Sequence, residues 1–309
     1  MLALAGCATV AQAVPAKAQS STTIRLGSIG LEDAAVLYYA QERGFFEKAG
    51  IDVALSTFEN GGSVSQALLG GAIDIGVTNS GSLASAYVRG LPMVLIQCAA
   101  IFTPNSPIAY LVVGPASGVK SAGDLAGKTI AVSTVHDMVQ AATMSWIDAN
   151  GGDSQGVNFI EMPPGAQAAA ITEGRIHGGV IVEPLYTQNK ANLVTLGRVF
   201  EAVNKKLPFQ TLGVVGNKSW VENNNDLTRR ASQAIRQAAV WANRNPTACS
   251  PLLAQYTKIS ETVITAYPRI QFAESNNAML VQPVIDMLAR FHFLPQGFNA
   301  ASLFAPGTL

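Results

Sequence analysis

The chain has 309 residues, 20 basic and 20 acidic side chains and a formal net charge of zero, which leaves room for about two domains with separate cores. Charged residues make up 13% and hydrophobic residues 49% of the sequence, so a disordered chain is excluded. Because there is no excess of Lys and Arg to neutralise phosphates, we expect no nucleic-acid partner.

The N-terminal segment, residues 1–21, has the composition of a signal peptide or a disordered leader. Leu2 to Val14 is apolar and uncharged, and Ala16-Lys17-Ala18 has the small residues of a cleavage site. Leu4-Ala5-Gly6-Cys7 also matches a bacterial lipobox, in which Cys7 would be acylated. We therefore expect a periplasmic, secreted protein, with a lipid anchor through Cys7 as the alternative.

After this segment, short β-type runs alternate with amphipathic helical patterns. The expected strands are Thr23–Gly27, Ile51–Ser56, Ile73–Val77, Met93–Ala100, Ala109–Val113, Thr129–Ser133, Val157–Ile160, Gly178–Val182 and Val194–Val199. The expected helices between them are Ala34–Lys48, Ser63–Leu69, Ser82–Arg89, Asp137–Asn150 and Ala166–Glu173. The last third is purely helical, over Asp226–Asn243, Pro246–Tyr256 and Ser275–Phe291. This order predicts an α/β fold with mostly parallel sheets.

An internal repeat indicates that there are two similar lobes. One set of residues returns 103 positions later in the same order: Gly62, Ala67, Leu68, Gly71, Ile73, Gly76 and Val77 recur as Gly165, Ala170, Ile171, Gly174, Ile176, Gly179 and Val180. Both copies predict a helix that ends at glycine and is followed by a strand. The period is too long for a solenoid and favours two α/β lobes over one large sheet.

The loops that follow the strands are the candidate ligand-binding site, because ligands of open α/β sheets bind at the carboxyl ends of strands. The candidate residues in these loops are Gly30, Leu31, Glu32, Asp33, Gly61, Thr78, Asn79, Ser80, Thr134, His136, Asp137 and Glu183. The loops carry carboxylates but no Arg or Lys, which favours an amine, an amide, an aminopyrimidine or a neutral polar molecule over a bare oxyanion. Helix capping is the alternative role for residues such as Asp33 and Asp137.

Other chemistry-bearing patterns are weak. Gly123 to Thr129 resembles a phosphate loop but precedes a strand, so it predicts a short helix and a turn with Gly127 at positive φ. The histidines lack the spacing of zinc ligands, and no nucleophile elbow is present. We therefore expect no metal, no cofactor and no catalytic residue. Cys98 and Cys249 could pair as a disulfide or remain buried thiols.

Several segments together resemble the periplasmic solute-binding proteins of ABC importers. The matching segments are Tyr39 to Val53, Ala67 to Gly76, Asp124 to Val132, Gly174 to His177 and Glu183-Pro184. They are similar to the branch that serves nitrate, sulfonates, taurine and thiamine precursors. One departure is His177, which stands where the family usually has an acidic residue that supports a strand.

The resemblance implies a two-lobed type II periplasmic binding fold, in which each lobe is a mostly parallel sheet flanked by helices and two hinge strands join the lobes. Lobe 1 would take residues 22–104 and 213–309, lobe 2 residues 105–212, and Thr211 would join the ligand-binding residues near the second hinge crossing. The implied function is capture of a small polar organic ligand by a monomer and its delivery to an ABC permease in the inner membrane. A ligand sensor, or a thiamine-pyrimidine biosynthetic enzyme on the same scaffold, is the alternative, although the chain lacks that enzyme's cysteine-rich iron site.

Overall fold

The computed structural model describes residues 23–106, 108–204 and 208–309, so the proposed leader and Cys7 lie outside it. Its strands are β1 Thr23–Ile29, β2 Asp52–Phe58, β3 Ile75–Asn79, β4 Met93–Cys98, β5 Ala100–Phe102, β6 Ala109–Val113, β7 Thr129–Val132, β8 Asn158–Glu161, β9 Gly178–Val182, β10 Val194–Arg198, β11 Phe209–Gln210, β12 Leu212–Asn217 and β13 Gln271–Phe272. Its α-helices are α1 Val36–Glu42, α2 Phe45–Lys48, α3 Gly61–Leu69, α4 Ser80–Val88, α5 Met138–Ala149, α6 Pro164–Thr172, α7 Leu185–Asn189, α8 Lys218–Asn223, α9 Asn225–Arg244, α10 Pro246–Thr257, α11 Glu261–Ile264 and α12 Ala278–Arg290. Short 3-10 helices complete the connections.

Two five-stranded sheets form the cores of two lobes. The first sheet has the order β2-β1-β3-β12-β4 and the second the order β8-β7-β9-β6-β10. In each sheet one strand, β12 or β6, runs antiparallel to its neighbours, while the other four point the same way. The expectation of two α/β lobes with mostly parallel sheets is confirmed.

The sequence repeat is a structural repeat with the same period. Helix α3 and strand β3 have the bounds of α6 and β9 when shifted by the 103 positions read from the sequence. The partner strands keep register too, since Leu26 pairs with Ile75 in lobe 1 as Ile130 pairs with Gly178 in lobe 2. Equivalent positions of the two lobes can therefore be compared residue by residue.

A third, small sheet of order β11-β5-β13 lies where the chain passes between the lobes. Strand β5 leaves the first lobe and β11 returns to it, and the two pair antiparallel with Phe209 opposite Phe102. These are the two hinge strands expected for the fold. The exact lobe boundaries expected from the sequence remain a prediction.

Two expected elements are divided in the structure. The helix expected over 34–48 is broken because Gly44 takes φ of 67°, which separates α1 from α2. The strand expected over 93–100 is interrupted at Ala99, whose N–H donates to Leu212 and whose carbonyl accepts from Ala273. At this residue the chain changes partners, from the lobe 1 sheet to the hinge sheet.

His177 accepts a backbone hydrogen bond at the position where the first lobe has an acidic residue. Asp74 accepts the N–H of Arg25 at 2.9 Å through its carboxylate, and His177, at the equivalent position, accepts the N–H of Thr129 at 3.1 Å through Nδ1. Both residues therefore tie the entry of a strand to the edge of its neighbour. The unusual histidine replaces the acceptor without changing the local fold.

The structure also shows the predicted turn at Gly127 and the state of the two cysteines. Gly127 follows a short 3-10 helix and takes φ of 73°, as expected for the turn. Cys98 and Cys249 are both buried free thiols, so the disulfide does not form. Across the described ranges, no helix has both the length and the apolar character that crossing a bilayer would require.

Candidate functional site

A cavity lies between the two lobes at the carboxyl ends of the strands. The cavity is narrow, with a volume of about 60 Å³. The wall combines residues of lobe 1, lobe 2 and the second hinge crossing: Ile29, Leu31, Asp33, Gly61, Asn79, Ile108, Ser133, Thr134, Met138, Val139, Pro164, Val180, Val182, Phe200, Thr211 and Leu212. Such a position between lobes is where open α/β sheets bind small molecules.

The repeat brings equivalent positions to opposite walls of this cavity. Gly61 and Pro164 each begin the helix before the central strand of their sheet, and both line the cavity. Asn79 and Val182 each end that central strand, and both line the cavity as well. At the ends of the central strands, lobe 1 presents the amide of Asn79 where lobe 2 presents the apolar side chain of Val182.

The candidate residues proposed from sequence fall into three groups. Those that line the cavity are Leu31, Asp33, Gly61, Asn79, Thr134 and Thr211. Those that line a neighbouring cavity, which shares Thr134 with the first, are His136 and Asp137. Those outside both linings are Gly30, Glu32, Thr78, Ser80 and Glu183.

Asp33 carries the acidic group of the cavity wall. Its Oδ1 atom is buried and has no hydrogen-bond partner in the structure. Burial raises the pKa of this carboxyl from 3.8 to about 7, and the nearby charge of Glu32 raises the pKa further in the same direction. An unpaired acceptor at the wall of a cavity between the lobes is suited to a donor that a ligand would bring.

Glu32 has a structural partner that the sequence did not reveal. Its Oε1 lies 2.7 Å from Nη2 of Arg269, and the glutamate side chain is 1% exposed. Burial raises the pKa of Glu32, and the charge of Arg269 opposes that shift. Since Arg269 is 237 positions away in sequence, only the tertiary fold could show that this carboxylate is paired.

Asp137 joins the lobes instead of facing the main cavity. Its Oδ2 accepts from Nδ2 of Asn79 and from Oγ of Ser82, both at 2.7 Å. Its Oδ1 accepts from the N–H of Met138 at 2.6 Å and so caps α5. Burial raises the pKa of Asp137, while the hydrogen bonds from Ser82 and Asn79 lower it.

Two more of the predicted polar residues, Glu183 and Ser80, have partners within the protein. Glu183 is 1% exposed and accepts from the N–H and Oγ1 of Thr187, both at 3.1 Å. Burial raises the pKa of Glu183 to about 7. Ser80 donates from Oγ to the carbonyl of Gln210 at 2.9 Å, which fixes the hinge strand β11 to the start of α4. Glu183 and Ser80 therefore bond to neighbouring parts of the protein and do not line the cavity.

The sequence interpretation missed the apolar part of the wall. The missed residues are Ile29, Ile108, Met138, Val139, Pro164, Val180, Val182, Phe200 and Leu212, together with the polar Ser133. Val182 and Pro164 could have been found through the repeat, because they are equivalent to Asn79 and Gly61. Among the described residues, neither Arg, Lys nor His lines this cavity.

Comparisons with known proteins agree with this architecture. A protein of Brucella abortus (strain 2308), provisionally named as a binding protein, is 26% identical over 227 residues, covering 72% of this chain and 67% of its own. The alkanesulfonate-binding protein SsuA from Xanthomonas axonopodis pv. citri, bound to MOPS, superposes with a TM-score of 0.76 at 16% identity, covering 93% of this chain and 99% of its own.

A second solved structure is equally similar. The periplasmic nitrate-binding protein NrtA from Synechocystis PCC 6803 superposes with a TM-score of 0.77 at 18% identity, covering 92% of this chain and 85% of its own. The periplasmic binding fold and the resemblance read from the sequence motifs are thereby confirmed. The sequence profile described as NMT1/THI5 like matches residues 32–249, and the chain belongs to that family.

Proposed function

We propose that this protein is the exported solute-binding component of an ABC importer and captures a small organic ligand between its lobes. The observation that carries the proposal is the cavity walled by both lobes and the hinge, with one unpaired buried carboxylate oxygen. Closing two lobes over a ligand needs no chemical step, so the protein would bind without turnover.

The wall indicates which ligands fit. Most of the lining is aliphatic or aromatic, which favours a ligand with an apolar body. The polar groups are Asp33, Asn79, Ser133, Thr134 and Thr211, none of which brings a positive charge. A bare sulfonate or nitrate would face Asp33 without a cation to compensate it. The ligand we propose is therefore an amine, an amidine or an amino-substituted heterocycle that donates to Asp33.

Delivery and location follow from the same function. The closed protein would dock on an ABC permease in the inner membrane as a monomer and release the ligand there. Residues 1–21 would direct export to the periplasm, with Cys7 as the alternative lipid anchor. The relatives named as nitrate- and alkanesulfonate-binding proteins support the class of protein, and the lining of this cavity supports a different ligand.

A thermal-shift screen tests the proposal. The full chain would be heated with aliphatic amines, amidines and aminopyrimidines, and with sulfonates and carboxylates as the comparison set. A ligand present at 100 times its Kd stabilises the folded state by about 2.7 kcal/mol, which is readily measured. We expect hits among the donor-bearing compounds and tenfold or greater loss of affinity in Asp33→Asn. Mass spectrometry of each hit after incubation checks for turnover, which would replace binding by catalysis.

Hits among sulfonates alone would leave a binding protein but remove the role of Asp33. Stabilisation by no compound of either set, together with no small molecule released from the purified protein, would contradict the binding function itself.

A further inference from the structure

The lobes meet beside the cavity at a junction of three polar side chains; a second polar contact between the lobes joins Arg290 of α12 to Ser145 of α5. The junction consists of Asn79 and Ser82 at the start of α4 in lobe 1 and Asp137 at the start of α5 in lobe 2. A single carboxylate oxygen of Asp137 accepts from both lobe 1 side chains at 2.7 Å, and Asp137 is 3% exposed. We call these three side chains the lobe junction.

The backbone at the lobe junction permits this approach. Gly81 lies between the two lobe 1 donors, and a Cβ there would overlap the carboxylate of Asp137 and lie 2.8 Å from the backbone nitrogen of Met138. No side chain can stand at this position while the lobes stay this close. The glycine and the three polar residues therefore describe one contact that exists only when the lobes are together.

The lobe junction also separates two spaces. Gly61, Asn79 and Thr134 line the main cavity, whereas Gly62, Ser82 and Asp137 line the neighbouring outer cavity. Thr134 lines both cavities. A ligand that passes from the outer cavity to the inner one would have to part Asn79 from Asp137.

We infer that Asp137 is a positioning residue that latches the two lobes together and closes the inner cavity from the outer one. The latch acts on the lobes alone and is independent of which ligand is bound. It also assigns Asn79 a role: its Oδ1 accepts from the N–H of Ser82 at 2.8 Å and its Nδ2 donates to Asp137, so this amide shuts the cavity.

The hydrogen-bond directions permit a test by exchange of residues. Asp137→Asn keeps an oxygen to cap Met138 but sets an amide donor against the Nδ2 donor of Asn79. Asn79→Asp keeps an oxygen for the N–H of Ser82 but sets two carboxylates together. The double variant Asn79→Asp/Asp137→Asn restores one donor and one acceptor with the direction reversed.

Ligand-free full-length variants would be compared by small-angle X-ray scattering and by amide hydrogen exchange at the start of α4 and α5. Each single substitution is expected to enlarge the radius of gyration and to speed exchange about tenfold, as expected for the net loss of about 1.4 kcal/mol when one charged hydrogen bond is lost. Gly81→Ala should produce the same opening. The double variant should return both readouts toward the wild type.

Asp153→Asn is the matched control, because Asp153 caps a short helix in lobe 2 away from the lobe junction. Far-ultraviolet circular dichroism confirms that each variant is folded. Unchanged scattering and exchange in both single variants and in Gly81→Ala would overturn the latch. So would a double variant as open as the single ones, since a purely local capping role predicts no rescue.

Discussion

The raised pKa of Asp33 predicts that this residue lowers the stability of the folded protein above neutral pH, although it contributes to ligand binding. The carboxyl has an ordinary pKa of 3.8 and a folded-state pKa of about 7, because it is buried next to Glu32. Between these two values the unfolded chain ionises while the folded protein stays protonated, so the folded state is progressively disfavoured as pH rises. Asp33→Asn removes the titration altogether and should therefore stabilise the ligand-free protein above neutral pH.

The size of the effect follows from the two pKa values. Integrated from pH 5 to pH 8, the Asp33 carboxyl alone lowers the free energy of unfolding by about 2.5 kcal/mol. Urea unfolding of wild type and Asp33→Asn at pH 5, 6.5 and 8 measures this difference. Between pH 5 and pH 8, the free energy of unfolding of Asp33→Asn should fall by about 2.5 kcal/mol less than that of the wild type. The affinity of the variant for donor-bearing ligands should be lower.

Glu59→Gln is the matched control, because Glu59 is exposed and does not line the cavity. It removes one negative charge from lobe 1 without touching the site, and we expect the wild-type pH dependence. A variant Asp33→Asn whose stability falls with pH as steeply as that of the wild type would refute the reasoning. In that case the carboxylate would already be satisfied in the folded protein.

Substitutions at three further residues test contacts inside the two lobes. Arg269→Met should destabilise the protein by about 3 to 5 kcal/mol in urea unfolding at pH 7, because it leaves the buried carboxylate of Glu32 unpaired; a loss below 1 kcal/mol would mean that the pair is not needed. His177→Ala should cost about 1 to 3 kcal/mol by leaving the N–H of Thr129 without its acceptor, whereas His177→Asp should retain most of the stability, as Asp74 does in lobe 1. Equal losses in both His177 variants would contradict the acceptor role. Glu183→Gln should flatten the fall in stability between pH 5 and 8 by about 2.5 kcal/mol, because burial raises the pKa of Glu183 to about 7; an unchanged pH profile would disprove it.

Much of the fold could be predicted from local patterns. The repeat located the equivalent helix and strand of both lobes, because a helix that ends at glycine before a buried strand leaves a spacing that can be counted. The very short strands of the small third sheet, β5, β11 and β13, were not separately predicted, since two- or three-residue strands have too few positions to show a period. Gly44 divided the expected helix because its backbone takes a left-handed conformation, and Ala99 divided the expected strand because its backbone hydrogen bonds pass from one sheet to another.

The candidate site, like the fold, could be predicted only in part from the sequence. Asp33, Asn79 and Thr134 could be proposed because polar residues that follow strands meet at one edge of a sheet. The sequence by itself determined the two-lobed architecture and the acidic character of the loops, since both are properties of residue type and spacing. Only the tertiary structure decided that Glu32 is paired with Arg269, that Asp137 bridges the lobes and that Asp33 keeps an unpaired oxygen at the cavity. The physical reason is that pairing and burial depend on residues distant in the chain, and the same carboxylate is a structural group or a binding group according to what the fold places against it.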